Sequence, residues 1–223
     1  MRKLMGLLVV VVLMMSIFAP VSAAGTATGY VVHGIPGLVV DVYVDGNLFV
    51  EDFKPDTIAG PLVGPAGQSG YIVIVPANGD PAKPALAATV SFNAGANVAI
   101  VAHLTEAGAP TLSIFDNDFS KTGAGQTRLI VRHTAAAPAV DALFFPGTAN
   151  ELRVGPLANG QQTAAGLPAG SYTAALVPTG TSTAAYGPFS ARLGAGKVYV
   201  AYAVGSLSGG TFKMLTQEIN VGE

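Results

Sequence analysis

Val40-Asp41-Val42-Tyr43-Val44-Asp45-Gly46-Asn47 carries the period that decides the fold. Val40, Val42 and Val44 alternate with Asp41, Tyr43 and Asp45, so one face is apolar and the other polar, as in a half-buried β-strand. Asp45-Gly46-Asn47 then turns the chain, because Gly and Asn adopt positive φ at little cost. Tyr71-Ile72-Val73-Ile74-Val75 is almost wholly apolar and reads as a central strand stopped by Pro76. Asn97 to Leu104 and Thr111 to Phe115 read as further strands. The second half supplies Arg128 to Arg132, Val140 to Phe145, Ser171 to Val177, Lys197 to Val204 and Thr211 to Ile219. No stretch after residue 23 repeats its apolar positions every 3.6 residues.

The two halves repeat each other. Val31-Val32-His33, Pro36 and Val40-Asp41 recur about a hundred residues on as Val131-Arg132-His133, Pro138 and Val140-Asp141. Gly70-Tyr71 with Val75-Pro76 matches Gly170-Ser171-Tyr172 with Val177-Pro178. Ala94-Gly95 followed by Val98, Ile100 and Ala102 matches Ala195-Gly196 followed by Val198, Val200 and Tyr202. Ordered blocks at nearly one offset indicate a duplicated unit. The expected architecture is therefore all-β: two tandem immunoglobulin-like β-sandwich modules, residues 24–121 and 122–223, after a signal peptide at 1–23. Lys121 to Gln126, short and polar with two glycines, is the expected linker.

The same blocks resemble the DUF4397 family of exported bacterial and archaeal domains of unknown function. The resemblance rests on His33-Gly34-Ile35-Pro36 and on the Val40-to-Gly46 strand and turn. It extends to Pro168-Ala169-Gly170-Ser171-Tyr172 and Ala195-Gly196-Lys197-Val198-Tyr199. The second copy departs at Ala142-Leu143-Phe144-Phe145-Pro146-Gly147. The resemblance implies two copies of a surface or secreted β-sandwich, and no agreed activity or ligand.

The first residues give the compartment. Arg2 and Lys3, the apolar run Leu7 to Met15, the helix-breaking Pro20 and the small residues Val21-Ser22-Ala23 form the pattern of a cleavable secretory signal peptide, cut after Ala23. An uncleaved anchor is the alternative, disfavoured because the run is short for a bilayer span. The expected location is secreted, extracellular or cell envelope, with no membrane span after cleavage. The end at Asn220-Val221-Gly222-Glu223 carries no wall-sorting signal, so free secretion or non-covalent retention is expected. Cleavage removes two of the eleven basic residues and leaves nine against thirteen acidic ones. With no basic cluster, nucleic-acid binding is excluded as an expectation. The absence of cysteine rules out disulfides and thiolate metal sites, so stability must come from buried apolar surface.

Candidate chemistry is sparse. His33 with Asp41, repeated as His133 with Asp141, could be a metal or acid–base dyad in each module. The preferred reading is a structural tether, since one imidazole and one carboxylate are too few for a tight metal site and a Pro-containing turn leaves backbone groups to satisfy. Tyr43, sharing a face with Asp41 and Asp45, is expected to be the exposed tyrosine, suited to stacking on a sugar. Asp116-Asn117-Asp118 could begin a calcium site with Asp52 or Asp56, but lacks the known loop pattern and suits a turn. No nucleophile elbow, paired glycosidase carboxylates or phosphate loop occurs. The expectation is a non-enzymatic structural or adhesive protein without catalytic residues, metal or cofactor. Its partners would be cell-envelope polysaccharide or surface proteins, and a carbohydrate- or ligand-binding module is the alternative.

Overall fold

A computed structural model describes residues 25–223; the signal-peptide reading lies outside them. Every regular element among the described residues is a β-strand. In the first module they are β1 (Thr26–His33), β2 (Val40–Val44), β3 (Asn47–Phe53), β4 (Thr57–Pro65), β5 (Ser69–Pro76), β6 (Leu86–Ser91), β7 (Asn97–Leu104) and β8 (Pro110–Asp116). In the second they are β9 (Gln126–His133), β10 (Val140–Phe144), β11 (Leu152–Leu157), β12 (Gln161–Pro168), β13 (Gly170–Pro178), β14 (Tyr186–Leu193), β15 (Lys197–Val204) and β16 (Lys213–Asn220).

The all-β tandem sandwich expected from the sequence is what the chain forms. The first module pairs a β4-β1-β7-β8 sheet with a β3-β2-β5-β6 sheet, and the second repeats both as β12-β9-β15-β16 and β11-β10-β13-β14. Even the parallel pair recurs: β1 runs parallel to β7, and β9 to β15. The turn after β2 follows from its residues. Asp45 (φ 50°) and Gly46 (φ 79°) are both left-handed, which is the two-residue hairpin turn that matches strand twist.

The two sandwiches stack. In β1 and β7, Val31, Ile100 and Ala102 face inward against Val40, Val42, Ile72 and Ile74 of the first module's other sheet. The alternate residues Tyr30, Val32, Ala99 and Val101, with Phe115, point the other way and form one core with Ile130, Val198, Val200, Tyr202 and Val204 of the second module. The inner sheets are therefore buried on both faces, and the molecule has four layers. This explains why β7 and β15 are apolar at nearly every position rather than alternating. The close approach demands a small residue at Gly34, where a Cβ would come within 2.7 Å of Val204 Cγ1. There the Gly205 N–H donates across the modules to the Gly34 carbonyl at 3.2 Å.

Candidate functional site

The repeated histidines and aspartates do not pair with each other. His33, at the end of β1, is buried, and its Nε2 bonds the Leu38 carbonyl at 2.7 Å; His133 does the same to Pro138 at 2.9 Å. A carbonyl only accepts, so each ring carries its proton on Nε2. Each Nδ1 is left as a buried acceptor without a partner. Burial lowers both imidazole pKa values from their ordinary value, against the opposing pull of these backbone bonds.

Asp41 was expected on the solvent face of β2 and is instead buried, at 4 % exposure. The β3 and β5–β6 turns fold over it. Its two carboxylate oxygens accept the Asp52 N–H at 2.9 Å and the Asn78 N–H at 2.8 Å. Both donors are non-glycine residues in left-handed backbone, Asp52 at φ 49° and Asn78 at φ 61°. The carboxylate thus holds two turns in a conformation they would otherwise resist. Asp141 works through side chains, accepting from Arg153 Nη1 at 2.7 Å and from the Thr179 hydroxyl at 3.0 Å. Asp45 accepts the Tyr71 N–H at 2.8 Å. Tyr43 is half-buried, because it pairs in register with Leu48 on one side and Val73 on the other. Tyr71, at 48 % exposure, is the open tyrosine of that sheet.

Asp116-Asn117-Asp118 does not gather around a cation site. Asn117 Oδ1 accepts from the Arg132 guanidinium at 2.6 Å, and Asp118 pairs with Arg128 at 3.2 Å. Among the described residues no three His, Asp or Glu side chains converge as metal ligands.

The Arg132 side chain is the feature that sequence reasoning passed over. It stands on β9 where the first module has Val32, and it is fully buried between the modules. Its Nε donates to Gln162 Oε1 at 2.9 Å and its Nη1 to the Tyr202 hydroxyl at 2.9 Å. Its Nη2 crosses to the first module, donating to the Asp116 carbonyl at 3.2 Å and to Asn117. The guanidinium also lies over the Phe115 ring at 4.8 Å and the Tyr202 ring at 5.1 Å. Burial lowers its pKa from the ordinary value, opposed by Tyr202 and by the charge of Asp116. A charge that breaks an apolar repeat was the available signal.

Each sandwich also contains a cavity. The one in the first module measures about 200 Å³ and the one in the second about 420 Å³. Strand register explains the difference. Val31 pairs with Ile100, whereas Val131 pairs with Ala201, so Ile100 corresponds to Ala201 and not to the Val200 that the sequence blocks align with it. Val44 pairs with Ile72, whereas Phe144 pairs with Ala174. Gly70 pairs with Val90, whereas Tyr172 pairs with Ala191. Val42 likewise becomes Ala142. Phe144 and Tyr172 return part of the lost volume, and the rest remains open.

No curated protein matches the chain. Among solved structures it is similar to one described as the Bacillus anthracis TIE protein, at 13 % identity and a TM-score of 0.28, over 81 % of this chain and 33 % of that one. The chain thus spans about a third of that protein's length, and so low a score carries no argument about function. DUF4397, a domain of unknown function, matches residues 27–143, which take in nearly all of the first module and run into β10. That is more than half of the chain, and the protein belongs to the DUF4397 family.

Proposed function

We propose that this is an exported, non-enzymatic protein, secreted or held at the cell surface, with a structural or adhesive role. The observation that carries the reading is where the polar side chains are committed. His33, His133, Asp41 and Asp141 all hold turns or neighbouring strands, Asp141 in part through its ion pair with Arg153. The stacked inner sheets and the Arg132 bridge make a stiff body suited to spacing or display. We read the second module as a second family copy. Its identical strand order and its equivalent histidine bond support this.

The test is a hydrolase substrate screen together with cell fractionation. The expected result is no turnover, with the protein in the medium or envelope fraction. Turnover that falls in His33→Ala at unchanged melting temperature overturns the non-enzymatic reading, and a cytoplasmic protein overturns export.

Adhesion to envelope polysaccharide is a second reading, favoured by one surface. The outer face of the β3-β2-β5-β6 sheet presents Tyr71 and Leu48, both nearly half exposed, beside Tyr43. Saturable retention on cell-envelope polysaccharide, weakened in Tyr71→Ala and Tyr43→Ala, would support it.

A further inference from the structure

We propose that the second module's cavity is a binding site for a single unbranched aliphatic chain, such as the tail of a long-chain fatty acid or alcohol. The proposal is independent of the structural or adhesive reading above.

The size is that of a ligand site. At about 420 Å³ the cavity falls within the range of small-molecule pockets, whereas the first module's cavity of about 200 Å³ falls below it. The shared topology does not require the opening. At corresponding registers the first module places Ile100, Ile72 and Val90, and the second Ala201, Ala174 and Ala191. An unfilled apolar space of this kind weakens a fold, since its lining atoms lack neighbours. An occupant restores those contacts.

The wall selects the body of the ligand. It is mostly alanine, leucine and aromatic carbon. Two of its hydroxyls are already engaged: Tyr172 donates to the Pro168 carbonyl at 2.7 Å, and Tyr199 accepts the Gly194 N–H at 3.0 Å. Such a surface offers little to a sugar and much to a hydrocarbon. Stacked sheets lie about 10 Å apart, so the space left by alanines is a flat slot that suits an extended or bent chain.

The mouth gives the ligand's polar end a way to water. In the first module the edge strands β6 and β8 draw together, and β14 and β16 lack that close approach. Arg192 on β14 is exposed, and its register opposite Ser171, between the inward Ala191 and Leu193, turns its side chain to the outer face of the sheet, so no charged group closes the mouth from β14. An apolar tail placed inward leaves its polar end outside, in water.

Isothermal titration of the protein with sodium dodecanoate, below its micelle concentration, is the test. The expected result is saturable binding. From octanoate to decanoate to dodecanoate, affinity should rise about fourfold for each added methylene, the value of burying one such group. Dodecanol should bind with the same dependence on chain length, because the tail carries the recognition. The double variant Ala174→Ile/Ala201→Ile, which installs the first module's side chains, should abolish binding at an unchanged or raised melting temperature. If overpacking unfolds it, Ala191→Val provides a milder filling and should weaken binding. No saturable uptake by the wild-type protein, an affinity independent of chain length, or full binding by a folded filled variant overturns the proposal.

Discussion

The two modules share a strand order and differ in what fills them. The first packs Val42, Ile72, Val90 and Ile100 between its sheets, and the second puts Ala142, Ala174, Ala191 and Ala201 at the same registers. Topology has survived a loss of core volume because the repeated elements are backbone-level ones: the parallel central pair, the buried histidine bond and the turns. The interior was free to change once a second source of burial existed. That source is the core between the modules, to which both contribute their inner sheets.

Acid tests what the modules hold in common. His33, His103 and His133 are all buried, and burial lowers all three pKa values. His103 adds bonds to the Leu104 carbonyl and the Ser113 hydroxyl. The folded protein therefore resists protonation that the unfolded chain accepts below the ordinary histidine pKa of 6.5. Their stabilisation is complete above that pH and is lost as pH falls below it, until the depressed folded values are passed. Three such groups together set an upper bound of about 4 kcal/mol per pH unit on the slope. Urea titrations at several pH values measure it. His33→Gln and His133→Gln should each remove about a third of that slope, and a slope untouched by either breaks the equivalence of the two sites.

Arg132→Ala tests the difference at the interface. It strips the donor from Asn117, the Asp116 carbonyl, Gln162 and Tyr202 and empties the space of a fully buried side chain, and should cost about 3–5 kcal/mol by chemical denaturation.

Paired core substitutions sharpen the comparison of the two interiors. Ile100→Ala should cost about 2–5 kcal/mol in the filled first module. Ala201→Ile, the reverse change at the matching register, should shift stability by less than about 1.5 kcal/mol in either direction. Equal and large penalties for both would show that the second core is as tightly packed as the first.

Gly34→Ala is a smaller test of the stacking distance. The added Cβ would press on Val204 Cγ1 at 2.7 Å and Cβ at 3.1 Å, costing about 1–3 kcal/mol, and melting temperature is the readout. Val204→Ala in the same chain should recover part of the loss, because it removes the atom in the way.

What the sequence disclosed followed burial. The central strands β2, β5, β7, β10, β13 and β15 were legible because apolar residues dominate them. Of the strands that escaped, β3, β4, β6, β11, β12 and β14 lie at sheet edges, and β1 is the inner strand among them. β4 shows why: Thr57-Ile58-Ala59-Gly60-Pro61-Leu62-Val63-Gly64-Pro65 has the glycines and prolines of a loop, and only an edge tolerates them. The burial of Asp41 was illegible for another reason. It depends on Asn78, thirty-seven residues downstream, folding across the strand. The stacked core was half legible, since a strand apolar on both faces requires a second layer but does not name it. The cavity could have been read from alanines facing the isoleucines of the other repeat, provided that strand register was known.

The shared core also bears on how such a chain can exist at all. One sandwich alone would leave Tyr30, Val32, Val101 and Phe115 bare to water, an oily wall that invites clumping. The chain behaves as a homodimer whose subunits were sewn together. The tether fixes each half at a high effective concentration for the other, so dilution cannot part them. Severed at residues 121–126, the halves should find each other again, with an affinity set by that wall and by the Arg132, Asn159 and Lys213 bonds that cross it.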